Sequence, residues 1–538
     1  MPDWYTTVSA LVRARADDHR VGLLYEGQSW TWAEHTAEAA ARASWYDAWR
    51  AQHEGPPHIG VLLENVPEYS FWLAAAALGR FVLVGLNATR RGAELAADIT
   101  STDCSLVLTD RPELLAGLDI TAEVIDPHMP YAPADLPIHE AALDDLYLLI
   151  FTSGTTGSPK AVMCSQGKIA TQGLGLVQRV GLGPDDISYV SMPLFHSNAV
   201  IAGWSPSLAV GATIALKRRF SASQFIPDCR AVGATYANYV GTPLSYVLAQ
   251  PERPDDRDNQ LVRVFGNEGA PADLARFGER FGCEVMDGFG STEGGISISR
   301  TPDTPVGSLG RPVGDVRVLD EQGNERPVAV FDKSGRLLNA DEAVGELVNL
   351  DGPFAFEGYW NAPEDTAHRT RQGWYWSGDM GYRDADGFLY FAGRSLDRLR
   401  VGGENLTAAP IARLLTKHPG IVECVVFAVP DAVAGDQVMA AVVPVEGFEP
   451  SGLPRWVTEQ PDAATTWVPR YVRVSADLPR TATGKVVVRQ LAQQAWHGDD
   501  VWIRDSDVMR PMTDGDRQAL AAAFESSGRP LPTGVDAR

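Results

Sequence analysis

Through the first half of the chain, apolar runs alternate with helical segments, and that rhythm leaves few folds open. "HIGVLLE" (58–64) reads as a buried strand and "VPEYSFWLAAAALG" (66–79) as a helix opened by proline. "FVLVGLN" and "CSLVLTD" again read as strands, with the amphipathic "RGAELAADITS" between them. Further strands follow in "ISYVSMP", "ATIALK", "ATYANYV", "VRVFGNEG" and "CEVMDGFG". A repeated βαβ unit implies a mostly parallel sheet covered by helices. Several of these strands end in polar or glycine-rich tips, where ligand sites of open α/β sheets collect.

The pattern changes twice. After about residue 305, "VGSLGRPVGDVRVLDEQGNERP" and "VGELVNLDGPFAFEGYW" read as short β-segments joined by Gly/Asp turns. Beyond "FAGRSLDRLRVGGENL" (391–406), the runs "APIARLLTKHPG", "IVECVVFAVP" and "QVMAAVVPV" suggest a small α+β domain. A chain of 538 residues exceeds one ordinary core. The expected fold is therefore α/β: a large N-terminal domain over 1–396, of α/β subdomains plus a β-rich subdomain, and a small α+β domain over 397–500. The remaining 501–538 is polar, ends in "SGRPLPTGVDAR", and reads as a disordered C-terminal extension.

Charge and cysteines exclude several functions. Lys plus Arg total 46 against 69 Asp plus Glu, a formal charge of -23. Such a surface repels nucleic acid and anionic lipid, so neither is an expected partner. A polyphosphate would have to be held by local donors and a metal ion. The five cysteines, Cys104, Cys164, Cys229, Cys283 and Cys424, are widely spaced with no CxxC pair. Structural zinc and a disulfide framework are not expected, and a cytoplasmic location is. The N-terminus is charged and lacks the apolar core of a secretory leader. The most apolar stretch, "FWLAAAALGRFVLVGL" (71–86), is interrupted by Arg80 and too short to span a bilayer, so no integral membrane segment is expected.

The loop "FTSGTTGSPK" (151–160) follows directly on the apolar "YLLI" and packs five hydroxyl side chains, two glycines, a proline and a lysine into ten residues. It offers backbone N–H groups, hydroxyl donors and one cation, with glycines that let a ligand approach the backbone. That composition suits an anion cradle, although a flexible surface turn would read the same way. No GxxxxGK[ST], GxSxG or HExxH pattern occurs, so P-loop NTPases, typical α/β hydrolases and zincins are excluded by signature.

Six more unusual loops follow in order: "MPLFHSNA" (192–199), "GNEGAP" (266–271), "DGFGSTEGG" (287–295), "YWSGDMGY" (375–382), "GRSLDRLRVGGEN" (393–405) and "PRTATGK" (479–485). Together with the first loop, this ordered set resembles the core motifs of the adenylate-forming superfamily of acyl-CoA synthetases, peptide-synthetase adenylation domains and beetle luciferases. The resemblance runs from about residue 20 to 495. It is closest to bacterial fatty-acyl-CoA synthetases and the fatty-acid transport protein group, through "VPDAVAGDQVMAAVV" and "VMRPMTDGDRQAL".

The resemblance implies a role for each motif. Thr152, Ser153, Thr155 and Thr156, with the backbone around Gly154 and Gly157 and the charge of Lys160, would hold the β- and γ-phosphates of ATP. Phe289 would stack on adenine, with Gly269, Ala270 and Pro271 lining its other face. Asp287, Gly288, Gly290 and Ser291 complete that loop. Thr292 would contact the α-phosphate and Glu293 would bind Mg²⁺, a hard cation that prefers oxygen. Asp379 would accept both ribose hydroxyls with help from Arg394, although an Asx turn would explain Asp379 alone. Lys485 would stabilise charge as the acid's oxygen attacks the α-phosphorus. Asp397 falls where the family has its interdomain hinge. Gly402 and Gly403 would meet the second substrate after the mobile small domain rotates. His196 would border the acyl site. Relatives often carry Ser-His after the first loop, whereas this chain has Ser165 followed by Gln166.

The implied reaction uses ATP and Mg²⁺ to turn a carboxylic acid, most closely a fatty acid, into acyl-AMP, which passes to CoA. Acceptors such as a carrier protein or an aryl amine, the latter with nitrite in place of the acid, would keep the same nucleotide motifs. A scaffold with a dead site is disfavoured because Thr292, Glu293, Asp379, Arg394 and Lys485 are all present. Acyl length and oligomeric state are left open.

Overall fold

The computed structural model describes residues 6–532 apart from 153–158, 241–242, 268, 270, 302, 333–336, 354, 395–397, 402–403, 433–435, 461–462, 464–466, 481–485, 499 and 528–530. The chain divides into two compact units. One comprises Met1–Ile298 with Gly352–Tyr375, the other Ser299–Asp351 with Trp376–Arg538.

The first unit carries the expected α/β rhythm in two sheets. One runs Glu284–Gly288, Arg263–Asn267, Tyr236–Val240, Ile187–Val190, Thr213–Leu216, Val21–Tyr25 and Gln28–Thr31 in spatial order. It is parallel up to its last strand, which forms a hairpin with Val21–Tyr25. The other runs Glu123–Ile125, Leu106–Thr109, His58–Leu62, Val82–Gly85, Leu146–Thr152 and Lys160–Ser165. It too is parallel until the final antiparallel pair. Helix Pro67–Leu78 opens on proline, and all of Tyr69–Leu78 is buried. A helix apolar on every side must sit inside the protein, so the most apolar stretch of the chain is core. Among the described residues no helix is long and apolar enough to cross a membrane.

The second unit holds the expected β-rich part as a four-stranded sheet: Val316–Leu319, Gly345–Asn349, Tyr375–Arg383 and Leu389–Arg394. It also holds a five-stranded sheet in the order Ile421–Pro430, Asp436–Pro444, Tyr471–Val474, Val501–Asp505 and Val508–Pro511. The last two strands correct the expectation of a disordered tail. Val501, Ile503, Met512 and Phe524 join one core cluster with Tyr471, Leu491 and Trp496. The polar residues between them build the turn and cap helix Asp514–Ser527. The N–H of Thr513 donates to Asp516 Oδ2 at 2.8 Å, and the N–H of Asp516 donates back to Thr513 Oγ1 at 3.2 Å. A short alternating strand and a reciprocal helix cap order this segment.

Candidate active site

Strand ends bring the motifs of the first unit together. Thr152 and Lys160 face each other across the antiparallel pair that closes the second sheet, so "FTSGTTGSPK" is the connection of a hairpin. In the other sheet, Gly266 pairs with Asp287 and Asn267 with Gly288 at the C-terminal ends of neighbouring parallel strands. "GNEGAP" and "DGFGSTEGG" therefore leave the sheet side by side. Asn267 Nδ2 donates to the Gly288 carbonyl at 2.9 Å, and Asp287 Oδ2 accepts from the Gly269 N–H at 2.9 Å and the Tyr239 hydroxyl at 2.6 Å. A Cβ on Gly269 would lie 2.4 Å from Leu274 Cδ2 and 3.0 Å from the Tyr239 hydroxyl, so a side chain there would force Leu274 to shift. Phe289 is half-buried, and Gly290 and Ser291 are exposed.

Glu293 is buried in a polar nest, 9% exposed. Its Oε1 accepts from the Tyr359 hydroxyl at 2.9 Å and, at 3.5 Å, from Thr152 Oγ1. Its carbonyl accepts from the ammonium of Lys168 at 3.2 Å. Burial and the Glu293 charge push the Tyr359 phenol up, so it keeps its proton and stays a donor to the carboxylate. Burial alone would lower the guanidinium pKa of Arg369, but its neighbours Tyr359, Tyr375 and Glu293 outweigh it and raise it. The Glu293 carboxylate thus sits beside two hydroxyls, with Arg369 in electrostatic reach. Among the described residues, no cluster of three or more His, Cys, Asp or Glu side chains is arranged to hold a metal.

Thr292 is tied to the histidine loop through Ser197 Oγ, 2.7 Å from Thr292 Oγ1. Asn65 fixes that loop, donating to the Met192 carbonyl and accepting from the Leu194 N–H, both at 2.8 Å. A Cβ on Gly85 would approach Phe195 to 3.0 Å, so the end of a strand in the second sheet packs directly beneath the loop. His196 is half-buried, stands at the N-cap of Ser197–Ala199, and tilts against Phe195 at 4.4 Å. A π-helical turn, Val200–Trp204, follows.

The first unit therefore gathers Thr152, Lys160, Thr292, Glu293 and the His196 loop. In the second unit Asp379 and Arg394 are register partners across an antiparallel pair. Asp379 lies inside its strand, 8% exposed, with a register shift between Met380 and Gly381. The backbone of Pro271 begins the helix Pro271–Phe281. Ser153, Gly154, Thr155, Thr156, Gly157, Ala270, Asp397, Gly402, Gly403 and Lys485 lie outside the described residues.

The family model for AMP-binding enzymes matches residues 11–360, and that for the AMP-binding enzyme C-terminal domain matches 411–485. This chain belongs to the AMP-binding enzyme family. Among curated relatives, the medium/long-chain-fatty-acid–CoA ligase FadD17 of Mycobacterium marinum is 50% identical over 93% of this chain and 99% of its own. The steroid-22-oyl-CoA synthetase of Rhodococcus jostii is 45% identical, over 97% and 98%. Among solved structures, ATP-bound MatB from Rhodopseudomonas palustris matches with a TM-score of 0.78 at 23% identity, covering 91% of this chain and 99% of that one, a likeness of fold. This AMP-binding enzyme is an acid–CoA ligase. It uses ATP to activate a carboxylic acid as acyl-AMP and passes the acyl group to CoA. The named relatives support CoA as acceptor over a carrier protein or an amine.

Sequence reading missed Lys168, Tyr359 and Arg369. Tyr359 lies in the aromatic "FEGYW", whose tight backbone was the available signal; Lys168 and Arg369 carried none. The departure at Gln166 has a structural reason. Its Oε1 accepts from the Ser9 N–H at 3.0 Å, and its Nε2 donates to the Ala77 carbonyl at 3.2 Å, so a buried amide joins three helices.

Proposed function

We propose that this AMP-binding enzyme acts on a large apolar acid, a medium- or long-chain fatty acid or the side-chain acid of a steroid. The observation that carries the reading is that relatives at 45% and 50% identity over nearly the whole chain are named for such acids. A cytoplasmic location accords with five free cysteines.

The residue roles follow the motif resemblance. Thr152 and Lys160, with Ser153 to Gly157, hold the terminal phosphates; Thr292 holds the α-phosphate; Phe289 stacks on adenine beside Gly269, Ala270 and Pro271. Asp379 and Arg394 take the ribose. Glu293 suits Mg²⁺, which is bound through one or two carboxylates plus substrate phosphates and needs no all-protein cage. The cation, when bound, neutralises phosphate charge. His196 orients the acid as its carboxylate oxygen attacks the α-phosphorus and pyrophosphate leaves, with Lys485 stabilising the charge that develops. Rotation about Asp397 then exchanges Lys485 for the Gly402–Gly403 loop, and the CoA thiol attacks the acyl carbon to release AMP.

Pyrophosphate exchange and CoA-thioester formation, measured over acids from acetate to long-chain fatty acids and steroid side-chain acids, test the substrate class. The highest kcat/KM is expected with the large apolar acids. A short or polar acid as the best substrate would overturn the proposal.

A further inference from the structure

Lys160 is the one cation of "FTSGTTGSPK", and its ammonium is already ion-paired with Asp365. The Lys160 side chain is only 10% exposed, and its ammonium also lies 5.4 Å from the centre of the Tyr359 ring. Asp365 stands in the first turn of helix Pro363–Arg369. Four residues on, Arg369 lies in electrostatic reach of Glu293 and beside Tyr359. One helical turn therefore presents a carboxylate to Lys160 and a guanidinium toward Glu293. Tyr359 stands between the two, its ring under the ammonium and its hydroxyl on the carboxylate.

An ammonium is a compact point charge, and a carboxylate and a phosphate compete for it. We propose that Asp365 is a competing counter-ion, which holds Lys160 while the terminal phosphates are absent and thereby weakens ATP binding. This rests on the reading of Lys160 as a phosphate-binding residue. Asp365 touches no reacting atom; it acts through Lys160. Its presence keeps a largely buried lysine paired in the empty enzyme, at the cost of affinity when ATP arrives.

The test is a double-mutant cycle on the full-length enzyme, with the KM for ATP read in acid-dependent pyrophosphate exchange. Asp365→Asn should lower the KM for ATP about three- to fivefold, the size of a partly exposed ion pair. Asp365→Glu should restore the wild-type value. In a Lys160→Ala background, Asp365→Asn should have no effect on the KM. Melting temperatures without ATP show whether each variant is folded; a loss of helix structure would lower them and kcat together, without lowering the KM. An unchanged or raised KM in folded Asp365→Asn overturns the proposal while leaving Lys160 in place. If Lys160→Ala alone leaves the KM for ATP unchanged, the underlying reading of Lys160 fails, and the proposal with it.

Discussion

The hydroxyl of Tyr359 donates to Oε1 of Glu293 at 2.9 Å, and burial together with that carboxylate keeps the proton on the phenol. The contact joins a segment that returns into the first unit to the loop that ends in "STEGG". It fixes the orientation of a buried carboxylate that would otherwise have rotational freedom at the metal position proposed above.

Tyr359→Phe removes the donor and keeps the ring. A hydrogen bond to a charged group contributes about 1.5–3 kcal/mol, so adenylation kcat/KM should fall about tenfold or more. The concentration of Mg²⁺ needed for half-maximal exchange should rise with it. A Mg²⁺ titration that superimposes on wild type would show that Tyr359 does not position the carboxylate. Glu293→Ala should abolish most exchange activity outright.

Gln166 makes a contrasting prediction, because its bonds tie helices and touch no motif. Gln166→Ala leaves the Ser9 N–H and the Ala77 carbonyl without their partner. The expected cost is about 1–3 kcal/mol of stability, read as a lower urea midpoint. The KM for ATP should stay at the wild-type value. A shifted KM would mean that this buried amide also shapes the nucleotide site.

These two residues mark what the sequence could and could not reveal. The strands were legible because apolar runs such as "HIGVLLE" and "FVLVGLN" are buried on both faces in parallel sheets. The motif loops were legible because seven of them follow the order of one superfamily's core motifs. Tyr359 was not, since it meets Glu293 across 66 positions, and no local periodicity records a contact that distant. The tail was misread for a related reason. Val501, Ile503, Met509, Met512 and Phe524 are all buried, and Ile503 takes its register partner, Tyr471, from a distant part of the sequence.

Buried His35 predicts an acid sensitivity. Burial, with the nearby Arg42 charge, lowers its pKa from 6.5 to about 3. Its Nε2 meets Ser70 Oγ at 2.8 Å, and the Trp204 indole donates to the same oxygen at 2.9 Å. The unfolded chain takes up a proton at this histidine near pH 6.5 while the folded chain does not. Folded-state stability is therefore lost as pH falls below about 6.5, by about 1.4 kcal/mol for each unit, until pH nears 3. Asp98 opposes this, because burial raises its pKa to about 6 and the folded state gains that proton first. Comparing wild type with His35→Gln cancels the Asp98 contribution. The stability difference between pH 7 and pH 5 should be about 2 kcal/mol more favourable in the variant. Parallel pH profiles for the two proteins would remove His35 as the source.

The two half-reactions separate Lys485 from Gly403. On the mechanism proposed above, Lys485 stabilises the transition state in which pyrophosphate leaves, and Gly403 borders the thiol only after rotation about Asp397. A residue used in one conformation cannot stabilise the transition state reached in the other. Lys485→Ala should therefore lower pyrophosphate exchange by orders of magnitude, yet still convert supplied acyl-AMP and CoA to thioester at near the wild-type rate. Gly403→Leu should do the reverse, filling the space needed by the thiol arm while leaving exchange nearly intact. Rapid-quench measurement of each half-reaction on both variants gives four rates. Equal losses in both halves for Lys485→Ala would rule out the rotation. A Gly403→Leu enzyme that makes thioester at the wild-type rate would show that the thiol reaches the adenylate by another path.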